Sequence, residues 1–154
     1  MDEKMVKEIK ETVIFLLISI VVVFALNSGL KVALHTDSPL VIVVSGSMEP
    51  VFHRGDVVLL KGVTPNEIRI GDVVVYKRPF TKYPIIHRVR GIEEYNGEKC
   101  FVIWGDNNFI HDFYPTPEGE IPCVPGSAIE AKALLVFPKI GYIPMEIKEK
   151  LGLA

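Results

Sequence analysis

Pro39 to Val51 reads PLVIVVSGSMEPV, and its two halves obey different local rules. Val41 to Val44 is a β-branched, uncharged run, the composition of a buried strand. Ser45-Gly46-Ser47-Met48-Glu49-Pro50 breaks it off. Gly46 permits backbone angles closed to other residues, and Pro50 cannot continue a strand ladder. Two hydroxyls, Ser45 and Ser47, therefore stand at the mouth of a strand on a constrained turn. A nucleophilic oxygen needs such a mounting, because it must be held against its target. The same serines would serve equally as turn residues that bond their own backbone. The wider chain has to separate these two readings.

Downstream of this stretch the sequence keeps a β rhythm. Asp56-Val57-Val58-Leu59-Leu60 follows Arg54-Gly55, and Asp72-Val73-Val74-Val75-Tyr76 follows Ile70-Gly71. Each is a Gly-Asp turn feeding a β-branched strand. Pro65 to Ile68 between them has the composition of a single turn. Pro79 to Pro84 reads as a loop and Ile85 begins another strand. Asp112 to Ser127 carries four prolines and two glycines, which predicts a loop throughout. Ala131 to Phe137 is a candidate last strand, and Pro144 to Leu151 a short amphipathic helix.

Upstream the character changes. Met1 to Thr12 is charged, with Lys4, Lys7 and Lys10 among acids, and Val13 to Leu26 is apolar except for Ser19. Continued to Leu34, the stretch reaches the ~20 residues a membrane span needs. A core helix would be apolar along one stripe, not all round. A cleaved signal sequence would end in a small-x-small site, and none follows directly. The expectation is a retained anchor: 1–12 cytoplasmic, 13–34 transmembrane, 36–154 an extracytoplasmic β-rich domain. The lysines before the span and their scarcity after it set that orientation. The net charge of −2 and the absence of a basic stripe give no reason to expect nucleic acid. No ligand spacing or Gly-rich phosphate loop calls for a metal or cofactor. Cys100 and Cys123 would pair in an oxidising compartment; two small buried thiols is the plainer expectation.

One hairpin follows from counting. Asn96-Gly97 is a strong signal for a two-residue turn. With that turn, cross-strand partners have numbers summing to 193, so Val89 faces Trp104 and His87 faces Asp106. Facing residues share one side of the sheet about 5 Å apart. A histidine is thereby predicted against a carboxylate. A serine hydroxyl becomes nucleophilic when a base takes its proton, and a carboxylate on the far ring nitrogen steadies that base. Ser47, His87 and Asp106 would fill these roles, with the Ser47 N–H facing the oxyanion. The competing reading makes His87 a surface histidine and Asp106 a third Gly-Asp turn. His35, His53 and His111 have no partner at suggestive spacing and read as surface residues.

Four stretches in this order complete the pattern: Ser45-Gly46-Ser47-Met48-Glu49-Pro50, Gly71-Asp72-Val73-Val74-Val75, Ile86-His87-Arg88-Val89 and Gly105-Asp106-Asn107-Asn108. Together they resemble type I signal peptidase, in its archaeal and endoplasmic-reticulum branch, where histidine replaces the bacterial lysine. The resemblance runs from about Val41 to Asp112, with an echo at Phe137 to Tyr142. It implies a mostly-β, antiparallel catalytic domain behind one N-terminal transmembrane helix, acting as a serine endopeptidase that removes signal peptides from exported preproteins. It implies Ser47 as nucleophile and His87 as base, since His87, not Lys77 or Lys82, occupies the base position. It adds Asp112 as a second acidic position beside Asp106, and the Ser45 hydroxyl as a helper of Ser47 in the oxyanion hole. Preproteins and the lipid bilayer are the implied partners, the cell membrane the location, and accessory subunits are compatible with it. A related peptidase with one dedicated substrate, or a non-catalytic anchored β-domain, are the alternatives.

Overall fold

The computed structural model describes residues 2–152. Met1, Leu153 and Ala154, at the ends of the expected 1–12 and 36–154 segments, lie outside the described residues. A long helix, α1 (Glu3–Leu34), precedes a sheet domain. The strands are β1 (Leu40–Ile42), β2 (Val57–Gly62), β3 (Val73–Tyr76), β4 (Ile85–Tyr95), β5 (Glu98–Trp104), β6 (Tyr114–Thr116), β7 (Gly119–Ile121), β8 (Val124–Pro125) and β9 (Ile129–Phe137). A short helix, α2 (Tyr142–Lys150), follows. Seven strands form one antiparallel sheet in the order β1-β2-β9-β3-β4-β5-β8, and β6 and β7 make a separate hairpin.

β3 explains why the sheet holds together. All four of its residues are buried, so both faces of this central strand are covered, as its uninterrupted Val-Val-Val-Tyr composition requires. Alternation sends Val73 and Val75 into one apolar cluster with Val43, Met48, Phe52, Val58 and Leu60. Val74 and Tyr76 enter a second cluster with Ile68, Val89, Phe101, Ile103 and Ile129. β9 is long enough to pair with β2 through Phe137–Ala131 and with β3 through Lys132–Ile129, joining the two halves.

Several local expectations are corrected. The segment 112–127 is not loop throughout: it contains β6, β7 and β8. Pro115 and Pro125 sit in very short strands, where missing ladder bonds cost least. Cys100 and Cys123 form a disulfide instead of standing as free thiols. The first strand stops at Ile42, although Val43 still bonds across to Gly55 and Asp56. The charged residues 3–12 form the first turns of α1, continuous with the apolar stretch.

α1 buries none of its residues. It is the one helix, among the described residues, long and apolar enough to cross a membrane. At ~1.5 Å per residue it is ~48 Å long, more than the ~30 Å of a hydrocarbon core. Its end is tied to the sheet: a Cβ on Gly62 would lie 1.8 Å from the His35 carbonyl oxygen, so only glycine lets β2 come this close.

Candidate active site

The turn after β1 is held from below. Met48 and Phe52 are buried in the first cluster, and the Val51 and Phe52 N–H groups donate to the Met48 carbonyl. Their apolar side chains pull the turn onto the core and leave Ser47 at its rim. From the other side Asn107 clamps it. The Asn107 N–H donates to the Ser47 carbonyl at 2.9 Å, and its side-chain amide donates to the Gly46 carbonyl at 3.1 Å. Ser45 Oγ lies 3.2 Å from Ser47 Oγ. Pro50 and Val51 face outward, so of the four apolar residues around Ser47 two are core and two are surface.

His87 lies opposite Val74 across the β3–β4 ladder and is 7% exposed. Its Nε2 is 2.9 Å from Ser47 Oγ. Its Nδ1 is 2.5 Å from Asp112 Oδ2. An ionised carboxylate only accepts, so Nδ1 carries the proton and Nε2 is left to accept from the serine hydroxyl. Asp112 follows β5, and its own N–H donates to the Ile103 carbonyl at 2.7 Å. The Tyr76 hydroxyl donates to the same Oδ2 at 2.8 Å. Hydroxyl, imidazole and carboxylate thus form one chain, in which a proton leaving oxygen can be taken at Nε2 while the charge on the ring is met at Nδ1.

Asp106 is elsewhere, and a bulge is the reason. The counted register holds from Tyr95↔Glu98 to Gly91↔Val102, then shifts by one so that Val89 faces Ile103 and Arg88 faces Trp104. The unpaired residue is Arg90, and such an insertion breaks any count carried across it. The next step brings His87 level with Gly105, where a Cβ would stand 2.9 Å from His87 Nε2 and 2.3 Å from the Ser47 carbonyl oxygen. Glycine is what allows serine and histidine to meet over this strand end. Asp106 instead takes a two-pronged contact from Arg88, at 2.8 and 2.6 Å, and a third from Arg90 at 2.5 Å. Arg88 in turn donates to the Gly71 carbonyl at 2.9 Å. The Arg88 guanidinium holds the Asp106 carboxyl below the usual carboxylate range, against the opposing effect of burial. Arg88 is raised by the same pair.

The other candidates are placed as follows. Lys77 pairs with Glu130 at 2.7 Å, and Lys82 lies 5.0 Å from the centre of the Tyr83 ring. His35 and His53 are exposed, but His111 is not a surface residue: it is half-buried against Phe113, with Nε2 shut off from solvent. Tyr76, Arg88, Gly105 and Asn107 were not singled out from the sequence. A usable signal existed for Tyr76, because a phenol in a strand buried on both faces must find an acceptor.

No family model matches the chain. The signal peptidase complex catalytic subunit SEC11 of Lachancea thermotolerans is 36% identical over 137 residues, 84% of this chain and 80% of that protein. The chain belongs to this signal peptidase catalytic-subunit family. The corresponding subunit of Saccharomyces cerevisiae is 38% identical over 123 residues, 79% of this chain and 72% of the relative. The human SEC11C subunit is 44% identical over 93 residues, 60% of this chain. The chain spans about half the length of the mammalian relatives it matches, 48% in each. Membership agrees with the antiparallel β domain and the apolar N-terminal helix described above.

Proposed function

We propose that this chain is a membrane-anchored serine endopeptidase that removes signal peptides from exported preproteins. One observation carries the reading: Ser47 Oγ, His87 and Asp112 are joined in a continuous hydrogen-bonded chain, at 2.9 and 2.5 Å. In this reading Ser47 Oγ attacks the scissile carbonyl as its proton passes to His87 Nε2. The resulting oxyanion is met by the Ser47 N–H and the Ser45 hydroxyl. The imidazolium gives its proton to the leaving amine, and an acyl-enzyme ester remains. Water then attacks that ester, losing a proton to His87, and the proton returns to Ser47 as the signal-peptide carboxylate departs. Asp112 orients the ring. Asp106 acts one layer back, fixing Arg88 and the strand end that carries Gly105.

α1 anchors the chain in the cell membrane through 13–34, with 1–12 cytoplasmic and 36–154 outside. The Cys100–Cys123 disulfide supports that side, because structural disulfides persist mainly in oxidising compartments. The preprotein binds extended beside the Ser47 turn, its alternate side chains facing the site. The relatives are named as subunits of a complex, which supports accessory subunits as further partners.

The decisive experiment is Ser47→Ala in the purified full chain, assayed on a preprotein in detergent or bilayer. Cleavage should fall by about six orders of magnitude while the folded spectrum is unchanged. Turnover retained by the folded variant sinks the assignment. A panel of preproteins and unrelated membrane proteins reads the substrate class.

A further inference from the structure

Tyr76 is fully buried, and its backbone is fixed on both sides, by β4 and by β9. The buried residues around it are otherwise apolar, and its phenol oxygen makes its hydrogen bond to the Asp112 carboxylate at 2.8 Å. It shares Oδ2 with His87 Nδ1. Burial and the neighbouring carboxylate push the phenol above its ordinary value, so it stays a donor throughout the working range.

We propose that Tyr76 is a positioning residue of the peptidase, fixing the Asp112 carboxylate toward His87 and limiting how strongly that carboxylate holds the imidazolium. The inference rests on the peptidase reading above. Its physical basis is twofold. Asp112 lies in irregular chain between β5 and β6, and the bond from its N–H to Ile103 fixes its backbone but not its side chain. The rigid phenol supplies the missing constraint. A donor on Oδ2 also draws charge from the oxygen that faces Nδ1, so the imidazolium is stabilised less than by an undivided carboxylate. The other charged groups around His87 are Asp106 with its Arg88 and Arg90 partners, and Arg78 and Tyr114 lie toward Tyr76. Tyr76→Phe leaves all of them in place.

The test uses the full chain and a signal-peptide-bearing preprotein. Tyr76→Phe should lower kcat by about tenfold, the cost of one misplaced contact, with KM unchanged. The acid limb of kcat/KM should move to higher pH, because an unshared carboxylate makes His87 easier to protonate. In an Asp112→Asn background the same substitution should cost almost nothing further. A phenol that merely fills the core moves stability but not the acid limb. Unchanged kcat with an unmoved acid limb overturns the proposal, and so does a full additional loss in the Asp112→Asn background. Loss of the peptidase reading itself would show separately, as activity surviving Ser47→Ala. An activity-independent check is the downfield proton of His87 Nδ1, whose NMR position should change in Tyr76→Phe.

Discussion

Two aspartates six positions apart illustrate how much a carboxylate's role depends on its partner. Asp112 meets an imidazole, whereas Asp106 meets two guanidinium groups. Asp112→Asn places an amide against Nδ1 and favours the wrong tautomer, so kcat should fall by about four orders of magnitude with the fold intact. Asp106→Asn should affect stability first. Its folded pKa lies below the unfolded value of about 3.9, so the ion pair stabilises above that pH. The contribution is lost as pH falls through the folded value. Acid unfolding of Asp106→Asn should therefore lack part of the loss that the parent shows below about pH 4. Parallel acid denaturation curves for the two proteins would contradict this. Asp56, buried unlike these two, is satisfied by the backbone N–H groups of His53 and Lys139, at 2.8 and 3.0 Å, and ties two turns together.

Among the elements, the end of β5 does the most with the least. Trp104 closes the ladder, Gly105 leaves room, and Asn107 reaches back to the Ser47 turn. Gly105→Ala would force its methyl to within 2.3 Å of the Ser47 carbonyl oxygen, a separation real contacts do not reach. Either the turn or the imidazole must move. A displacement on the scale of 1 Å at reacting atoms costs on the order of a hundredfold. Gly105→Ala should lose at least that much kcat while its far-ultraviolet circular dichroism stays that of the parent. Activity near normal would mean that this close approach is relaxed in the working enzyme.

For the molecule as a whole, the disulfide is a further tie between the β4–β5 hairpin and the segment leading to β8. Cys100 and Cys123 are 23 positions apart, and closing such a loop limits the unfolded chain by about 3 kcal/mol. Replacing both cysteines with serine should lower the unfolding free energy by about that amount. The tie is made at Cys100, opposite Glu93 and six positions along β4 from His87, so kcat should survive at temperatures where the variant is folded. A loss of activity before unfolding would show that the tie also shapes the site.

Strands β1 to β5 and β9, the Asn96-Gly97 turn, the apolar N-terminal stretch and the serine turn were legible in the sequence, because each rests on neighbours within a few positions; β6, β7 and β8 were not, because their prolines and glycines read locally as loop. β-Branched runs prefer the pleat, positive backbone angles at Asn96 and Gly97 suit the tight turn, and Val13 to Leu26 has no polar face. The same local logic identified Ser47 and His87 as the pair worth watching. What it could not supply was which carboxylate meets the His87 ring. A single bulged residue, Arg90, undid a register that was correct for five pairs, and turned Asp106 toward arginine. Only the folded chain brings Asp112 back from beyond the strand to His87 and sets Tyr76 behind it. Those contacts span 25 and 36 positions, and they depend on where β3, β4 and β5 lie beside one another. The cysteine pairing has the same origin: two thiols become neighbours when the β8 segment folds back against β5, and no local preference encodes that return.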